Sequence, residues 1–114
     1  MPDCLFCKIA QKHVPANVVY DDDALVAFRD INPQAPVHLL VIPKQHVSTT
    51  NDLTAADEAL LGRMVLTAQR LAQAEGIAES GYRLVMNCNS DGGQTVYHIH
   101  LHVLGGRGMR WPPG

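Results

Sequence analysis

His98-Ile99-His100-Leu101-His102-Val103-Leu104 sets three imidazoles in strict alternation with aliphatic residues. A strand sends successive side chains to opposite faces. Ile99, Leu101 and Val103 can then enter a core while the three histidines point to one shared surface. A single histidine in a strand is ordinarily a hydrogen-bonded structural residue. Three at i, i+2 and i+4 are different, because burying three polar rings costs desolvation and demands three sets of partners. A purely solvating face would use Lys, Glu or Thr, and an expression tag would be contiguous and terminal. The pattern concentrates acid–base, nucleophilic and metal-binding capacity on one rigid element.

The three histidines cannot share one job. Alternate side chains along a strand lie ~6.6 Å apart, whereas zinc–nitrogen bonds are about 2.0–2.1 Å. Two neighbouring imidazoles can converge on one metal; three can do so only with strong distortion, so a division of labour is expected. His38 and His46 stand at opposite ends of the apolar run 37–42 and its exit. Up to ~26 Å of extended chain separates them, which assigns them to different clusters, one a catalytic centre and the other a metal site. His13, beside Pro15, reads as a surface residue. Cys4-x-x-Cys7 has the knuckle spacing for zinc. A tetrahedral site would need two histidines from elsewhere, and His46 plus one end of the triad would supply them. A thioredoxin-like redox pair is the main rival, weakened because no predicted strand precedes the motif. Cys88 reads as a small buried hydrophobe.

The chain has 114 residues, the size of one domain spanning 1–114, with 46% hydrophobic and 18% charged residues. So lightly charged a surface leaves room for an apolar interface between copies. A net charge of −2 gives no electrostatic case for a nucleic-acid polymer. A single nucleotide is compatible with it, because backbone N–H groups can hold one phosphate. No basic start with a long apolar stretch is visible, and no run approaches the ~20 apolar residues of a membrane span. The expected compartment is the cytoplasm, with no membrane partner.

Leu5, Phe6 and Ile9 predict a short helix over 5–12. Residues 17–21 and 25–29 read as strands around an Asp-rich turn, 32–36 as a loop broken by two prolines, and 37–42 as an apolar strand stopped by Pro43. One long helix begins at Thr54, which has capping-box spacing to Asp57. It carries the stripe Leu60, Leu61, Met64, Val65, Ala68, Leu71 and Ala72 and closes at Gly76. A strand over 82–88 and a Gly-rich loop over 89–95 precede the histidine strand, and the tail is irregular. Short connections imply antiparallel pairing. The expected fold is α+β: a five-stranded antiparallel sheet with one long helix on one face, in two layers, and one short N-terminal helix.

The histidine run resembles the signature of the histidine triad superfamily. Phe28-Arg29-Asp30-Ile31-Asn32-Pro33-Gln34-Ala35-Pro36-Val37-His38 and Val41-Ile42-Pro43-Lys44-Gln45-His46 are similar to its nucleotide-binding half. Gly93-Gln94-Thr95-Val96-Tyr97, Gly105-Gly106-Arg107 and Trp111-Pro112-Pro113-Gly114 resemble its Hint branch. The resemblance covers nearly the whole chain. It implies a purine nucleoside phosphoramidase that binds AMP- or GMP-type nucleotides and acts on adenosine phosphoramidates and acyl-adenylates. It also implies a homodimer whose two sheets join into one.

By position, the resemblance makes His100 the nucleophile and His102 and His38 its helpers. Asp30 and Ile31 become ribose and base contacts, Asn87, Gly93, Gln94 and Thr95 phosphate-side contacts, and Phe6, Ile9 and Phe28 apolar walls. Thr95 stands where many relatives have Ser. Cys4, Cys7, His46 and His98 resemble the ligands of the zinc-bearing bacterial branch, where zinc is structural and catalysis needs no metal.

A neutral imidazole is a good nucleophile near pH 7. One nitrogen of His100 would attack the α-phosphorus to give a nucleotidyl-imidazole, its other N–H held by an acceptor such as a backbone carbonyl. Backbone N–H groups around residues 93–95 would stabilise phosphoryl charge, and an imidazole near neutral pKa would protonate the leaving amine. The alternatives are a metal-dependent hydrolase or oxygenase using His100 and His102, a non-catalytic nucleotide-binding regulatory protein, and a dinucleoside polyphosphate hydrolase.

Overall fold

A computed structural model describes residues 3–114; the start of the chain, read above for a leader, lies partly outside them. Five strands form one antiparallel sheet: β1 (Val18–Asp21), β2 (Leu25–Arg29), β3 (Val37–Pro43), β4 (Tyr82–Val85) and β5 (Leu101–Gly105), in the order β1-β2-β3-β5-β4. The short helix α1 is Leu5–Ala10 and the long helix α2 is Glu58–Ala74. The α+β class and five-strand sheet match the expectation.

The layering does not. Leu25, Ala27, Leu39, Val41, Leu101 and Val103 face one side, packing on Met64, Ala68, Leu71 and Ala72 of α2. Val26, Phe28, Leu40 and Ile42 face the other and pack on Phe6 and Ile9 of α1. A helix therefore covers each face. That is why β3 is apolar at nearly every position instead of alternating.

Several boundaries moved. α1 stops at Ala10, and Lys12 takes a left-handed φ of 64°. A 3₁₀ turn, Ala55–Asp57, precedes α2; the Thr54–Asp57 capping box closes that turn. The buried stripe of α2 is Met64, Thr67, Ala68, Leu71 and Ala72, while Val65 is exposed. Val65, one residue and about 100° round the helix from the central Met64, lies at the edge of the stripe, and Thr67 takes a core place its hydroxyl concealed. The helix ends as foreseen at Gly76 (φ 76°), with Gly76 N–H on Gln73 O and Ile77 N–H on Ala72 O. β4 stops at Val85, so Cys88 lies outside it and is only partly buried.

β5 starts at Leu101, not His98. The β3–β5 register pairs Val41 with Leu101, so Pro43 would come opposite Ile99. Proline has no N–H to extend the ladder. Ile99 N–H instead donates to Val47 O at 2.8 Å. Ile99, Leu101 and Val103 are nonetheless all buried in the α2-side core, as the alternation requires.

Candidate active site and metal cluster

The α1 face of the sheet does not close completely. A cavity of about 710 Å³ opens between α1, the loop after β2, the loop before His98 and the sheet. That is within the range of small-molecule sites, about 300–1,000 Å³. His38, His100 and His102 line it, together with Asp30, Ile31, Gly93 and Thr95. Phe6 and Phe28 meet edge-on at 5.5 Å and, with Ile9, form an apolar wall. Phe6 also stands edge-on to His100 at 5.1 Å.

Cross-strand neighbours bring the helpers together. Leu40 pairs with His102, so His38, two residues along β3, is its diagonal neighbour. His38 Nε2 lies 2.8 Å from His102 Nδ1. The proton positions follow from fixed donors and acceptors. Gln34 N–H donates to His38 Nδ1 at 3.0 Å, so a neutral His38 carries its hydrogen on Nε2 and donates it to His102 Nδ1. His102 must then carry its own hydrogen on Nε2. His100 is the opposite case: its Nδ1–H donates to the His98 carbonyl at 2.8 Å, leaving the Nε2 lone pair free. The site holds one nucleophilic nitrogen and one N–H donor, set by the backbone.

Burial keeps these rings neutral. It pushes His100 and His38 below the ordinary imidazole value, against the opposing carboxylate of Asp30. His102 is lowered to about 4, by burial first and then by the neighbouring His100 and His38. Asp30 Oδ2 lies 3.5 Å from His38 Nε2, and Asp30 Oδ1 accepts Asn32 N–H at 2.8 Å. As neutral rings, His102 offers a hydrogen-bond donor and His100 a free lone pair to the cavity.

Two expected phosphate contacts stand apart from the cavity. Asn87 is not among its lining residues. Gln94 is buried, with its side-chain Nε2–H groups on Ser48 O and Val96 O and its Oε1 accepting Asn89 N–H. It braces the Gly-rich loop. Gly93 N–H and Gln94 N–H are also spent, on Ser90 O and Asn89 O at 3.0 Å each. Thr95 is the one of the three whose N–H is not among these bonds. The sequence reading missed Gln34, whose contribution is a backbone N–H and leaves no side-chain signal. It also missed Leu40, which the period of β3 puts on the face of His38.

His98 does not line the cavity. It is fully buried and turns Nδ1 to Cys4 Sγ at 3.3 Å and Cys7 Sγ at 3.5 Å; Cys7 Sγ is 3.3 Å from His46 Nδ1. One donor atom from each of the four lies within 4.8 Å of the others. Tetrahedral bonds of about 2.0–2.3 Å set ligand atoms about 3.3–3.8 Å apart, so this Cys2His2 set could hold a metal. The outer nitrogens are oriented as in metal sites: His98 Nε2–H donates to Pro43 O at 2.7 Å and His46 Nε2 meets Ser48 Oγ at 3.2 Å. Burial, then Cys4, push the Cys7 thiol up; a bound cation would reverse that. The separation of His38 from His46 read from the chain holds.

Asp30, His38 and His102 also bring donor atoms within 4.8 Å. A metal on His38 Nε2 would move the ring proton to Nδ1, against the Gln34 N–H. The hydrogen bonding there suits protons instead.

The model of the HIT domain family matches residues 11–109. A purine nucleoside phosphoramidase of Escherichia coli K12 is 54% identical over 105 residues, covering 92% of this chain and 88% of the relative. A HIT family hydrolase from Legionella pneumophila superposes with a TM-score of 0.97 at 62% identity, covering 98% of this chain and all of that one. A zinc-bound histidine triad family protein from Mycobacterium smegmatis superposes at 0.80 with 31% identity, covering 93% and 76%. With the family model matched over residues 11–109 and these relatives in agreement in sequence and fold, the chain belongs to the HIT domain family.

Proposed function

We propose that the protein is a purine nucleoside phosphoramidase working through a covalent nucleotidyl-histidine. The observation that carries this reading is the pair of opposed tautomers: a free His100 Nε2 lone pair beside a His102 Nε2–H. His100 Nε2 attacks the α-phosphorus of a substrate protonated on its P–N nitrogen, so that the bond breaks with release of neutral amine, and the His98 carbonyl steadies the positive charge that the ring gains. His102 N–H and the Thr95 hydroxyl and N–H donate to the phosphoryl oxygens. Water then attacks phosphorus and releases the mononucleotide and His100. Across both steps one water is consumed: its hydroxyl ends on phosphorus and its proton on the amine.

Asp30 accepts from the ribose hydroxyls, Ile31 borders the base, and Phe6, Ile9 and Phe28 enclose the purine. Acyl-adenylates fit the same attack with a carboxylate leaving group. Cys4, Cys7, His46 and His98 would hold a structural zinc, which joins α1 to the segment leading into β5; no catalytic step calls on it. The four-residue edge strand β4 keeps continuous register with β5, whereas the β1 edge carries a bulge. A second copy would therefore add to β4 and extend the sheet across a homodimer, a state that sedimentation would read directly.

Turnover of adenosine 5′-phosphoramidate tests the assignment. His100→Ala should lose at least about 10³-fold in kcat, as for removal of a covalent nucleophile, while still binding AMP by calorimetry. Undiminished turnover by His100→Ala would refute it. AMP binding without turnover by the unaltered protein would favour the regulatory reading.

A further inference from the structure

The tautomer of the His38–His102 pair depends on one backbone group, the Gln34 N–H. That group sits in the loop 32–36, where Asn32, Pro33, Gln34 and Pro36 are all exposed. Within this loop the side-chain hydrogen bonds are Asn32 N–H to Asp30 Oδ1 and Gln34 Nε2–H to Asn32 O. Neither fixes the direction of the Gln34 N–H. A third bond comes from 73 residues away, where Arg107 Nε–H donates to the Gln34 carbonyl at 2.9 Å. The same guanidinium donates through a terminal nitrogen to Gly108 O at 3.1 Å, tying its own backbone to its head. The tail also rests directly on the loop. Gly106 has φ 90°, and a Cβ there would come within 2.9 Å of Pro36 Cβ. Gln34 is thus gripped from outside at its carbonyl while its N–H points inward to His38.

We propose that Arg107 is a positioning residue for the catalytic pair: by clamping Gln34 it keeps the Gln34 N–H on His38 Nδ1 and thereby keeps a hydrogen on His102 Nε2. The inference rests on the phosphorus chemistry proposed above. The chain of donors runs from Arg107 to Gln34 O across the residue, then from Gln34 N–H to His38, from His38 to His102, and from His102 to a phosphoryl oxygen. No proton is transferred along it; it selects whether the His102 nitrogen that faces the substrate carries a hydrogen or a lone pair. If the loop swings away, His38 can take either tautomer. In the wrong one a lone pair of His102 faces an anionic oxygen and repels it. Arg107 itself touches neither substrate nor the reacting atoms.

Arg83 supplies the control. It also ties the tail down, donating to Arg110 O at 2.8 Å, but on the β4 side and away from Gln34. Long-range proton–nitrogen correlation spectra of the imidazoles should show His38 as the Nε2–H tautomer in the unaltered protein and in Arg83→Ala. In Arg107→Ala the His38 nitrogens should move toward an average of both tautomers. The kcat on adenosine 5′-phosphoramidate should fall about fivefold, the worth of one ordinary hydrogen bond. Arg107→Lys, which can reach Gln34 O with a single donor but cannot make the second bond, should recover part of both. Unchanged His38 nitrogens in Arg107→Ala would overturn the proposal, as would an altered tautomer with intact kcat or an equal loss in Arg83→Ala. If the unaltered protein turns over no phosphoramidate, the functional reading fails by itself, and the spectra still decide the role of Arg107.

Discussion

His100 and His102 are the same side chain on the same strand face, yet their backbone partners give them opposite protonation patterns. His100 meets a carbonyl and exposes a lone pair; His102 meets a ring N–H and exposes a hydrogen. That the three histidines divide between two clusters was legible in the chain, because strand spacing forbids three equivalent ligands and Cys4-x-x-Cys7 needs two histidines; which of them goes where came from the family resemblance. The tautomers were not, since they are fixed by the peptide N–H of Gln34 and the carbonyl of His98. The pH dependence follows from the lowered imidazoles. Each has a folded-state pKa below its unfolded one, so its neutral form is favoured by folding. That stability is fully present above about pH 6.5 and is lost as pH falls toward about 4, the value of His102. The melting temperature should drop steadily over that window. Turnover should hold its plateau down through pH 6.5, with an acid limb lying below the ordinary imidazole value. An acid limb centred above 6.5 would contradict burial as the dominant influence.

The strand carrying the signature shows how one element serves two sites. The alternation was readable, and the core side obeys it: Ile99, Leu101 and Val103 are buried. What the chain did not announce is that Pro43 halts the ladder before His98, freeing that residue to turn its ring to the cysteines while its carbonyl still holds His100. At the far end of β5, Gly105 is chosen for closeness. A Cβ there would lie 2.5 Å from Ile77 Cδ1 and 3.0 Å from Ile77 Cβ. Ile77 follows the Gly76 helix stop, so the contact locks the end of α2 onto the sheet. Gly105→Ala should cost about 1–3 kcal/mol by overpacking, read by urea denaturation. Combined with Ile77→Val the loss should be less than the sum of the two single changes. Full additivity would show that the clash is relieved elsewhere.

Across the whole molecule, the Cys2His2 cluster joins elements that frame the histidine-lined cavity. Cys4 caps α1, its sulfur accepting Cys7 N–H at 3.4 Å, and Phe6 and Ile9 of that helix form the cavity wall. His98 brings in the segment before β5. The second helical layer over the sheet escaped the sequence reading because α1 is only six residues long and gains its hold from side chains far along the chain. Stripping metal from protein purified without chelator should lower the melting midpoint by at least about 8 °C, the shift that about 2 kcal/mol produces in a domain of this size. AMP affinity should weaken with it, because the wall is loosened. A midpoint and affinity unchanged by chelation would show that α1 needs no metal.

The proposed mechanism makes His100 Nε2 the atom that bonds to phosphorus. Acid-free quenching of the protein during turnover of adenosine 5′-phosphoramidate, followed by intact and peptide mass measurement, reads this bond directly. The mechanism predicts a transient adduct of one adenylate on the peptide containing His100, absent in His100→Ala. An adduct on another residue, or rapid turnover with no adduct at any quench time, would contradict it.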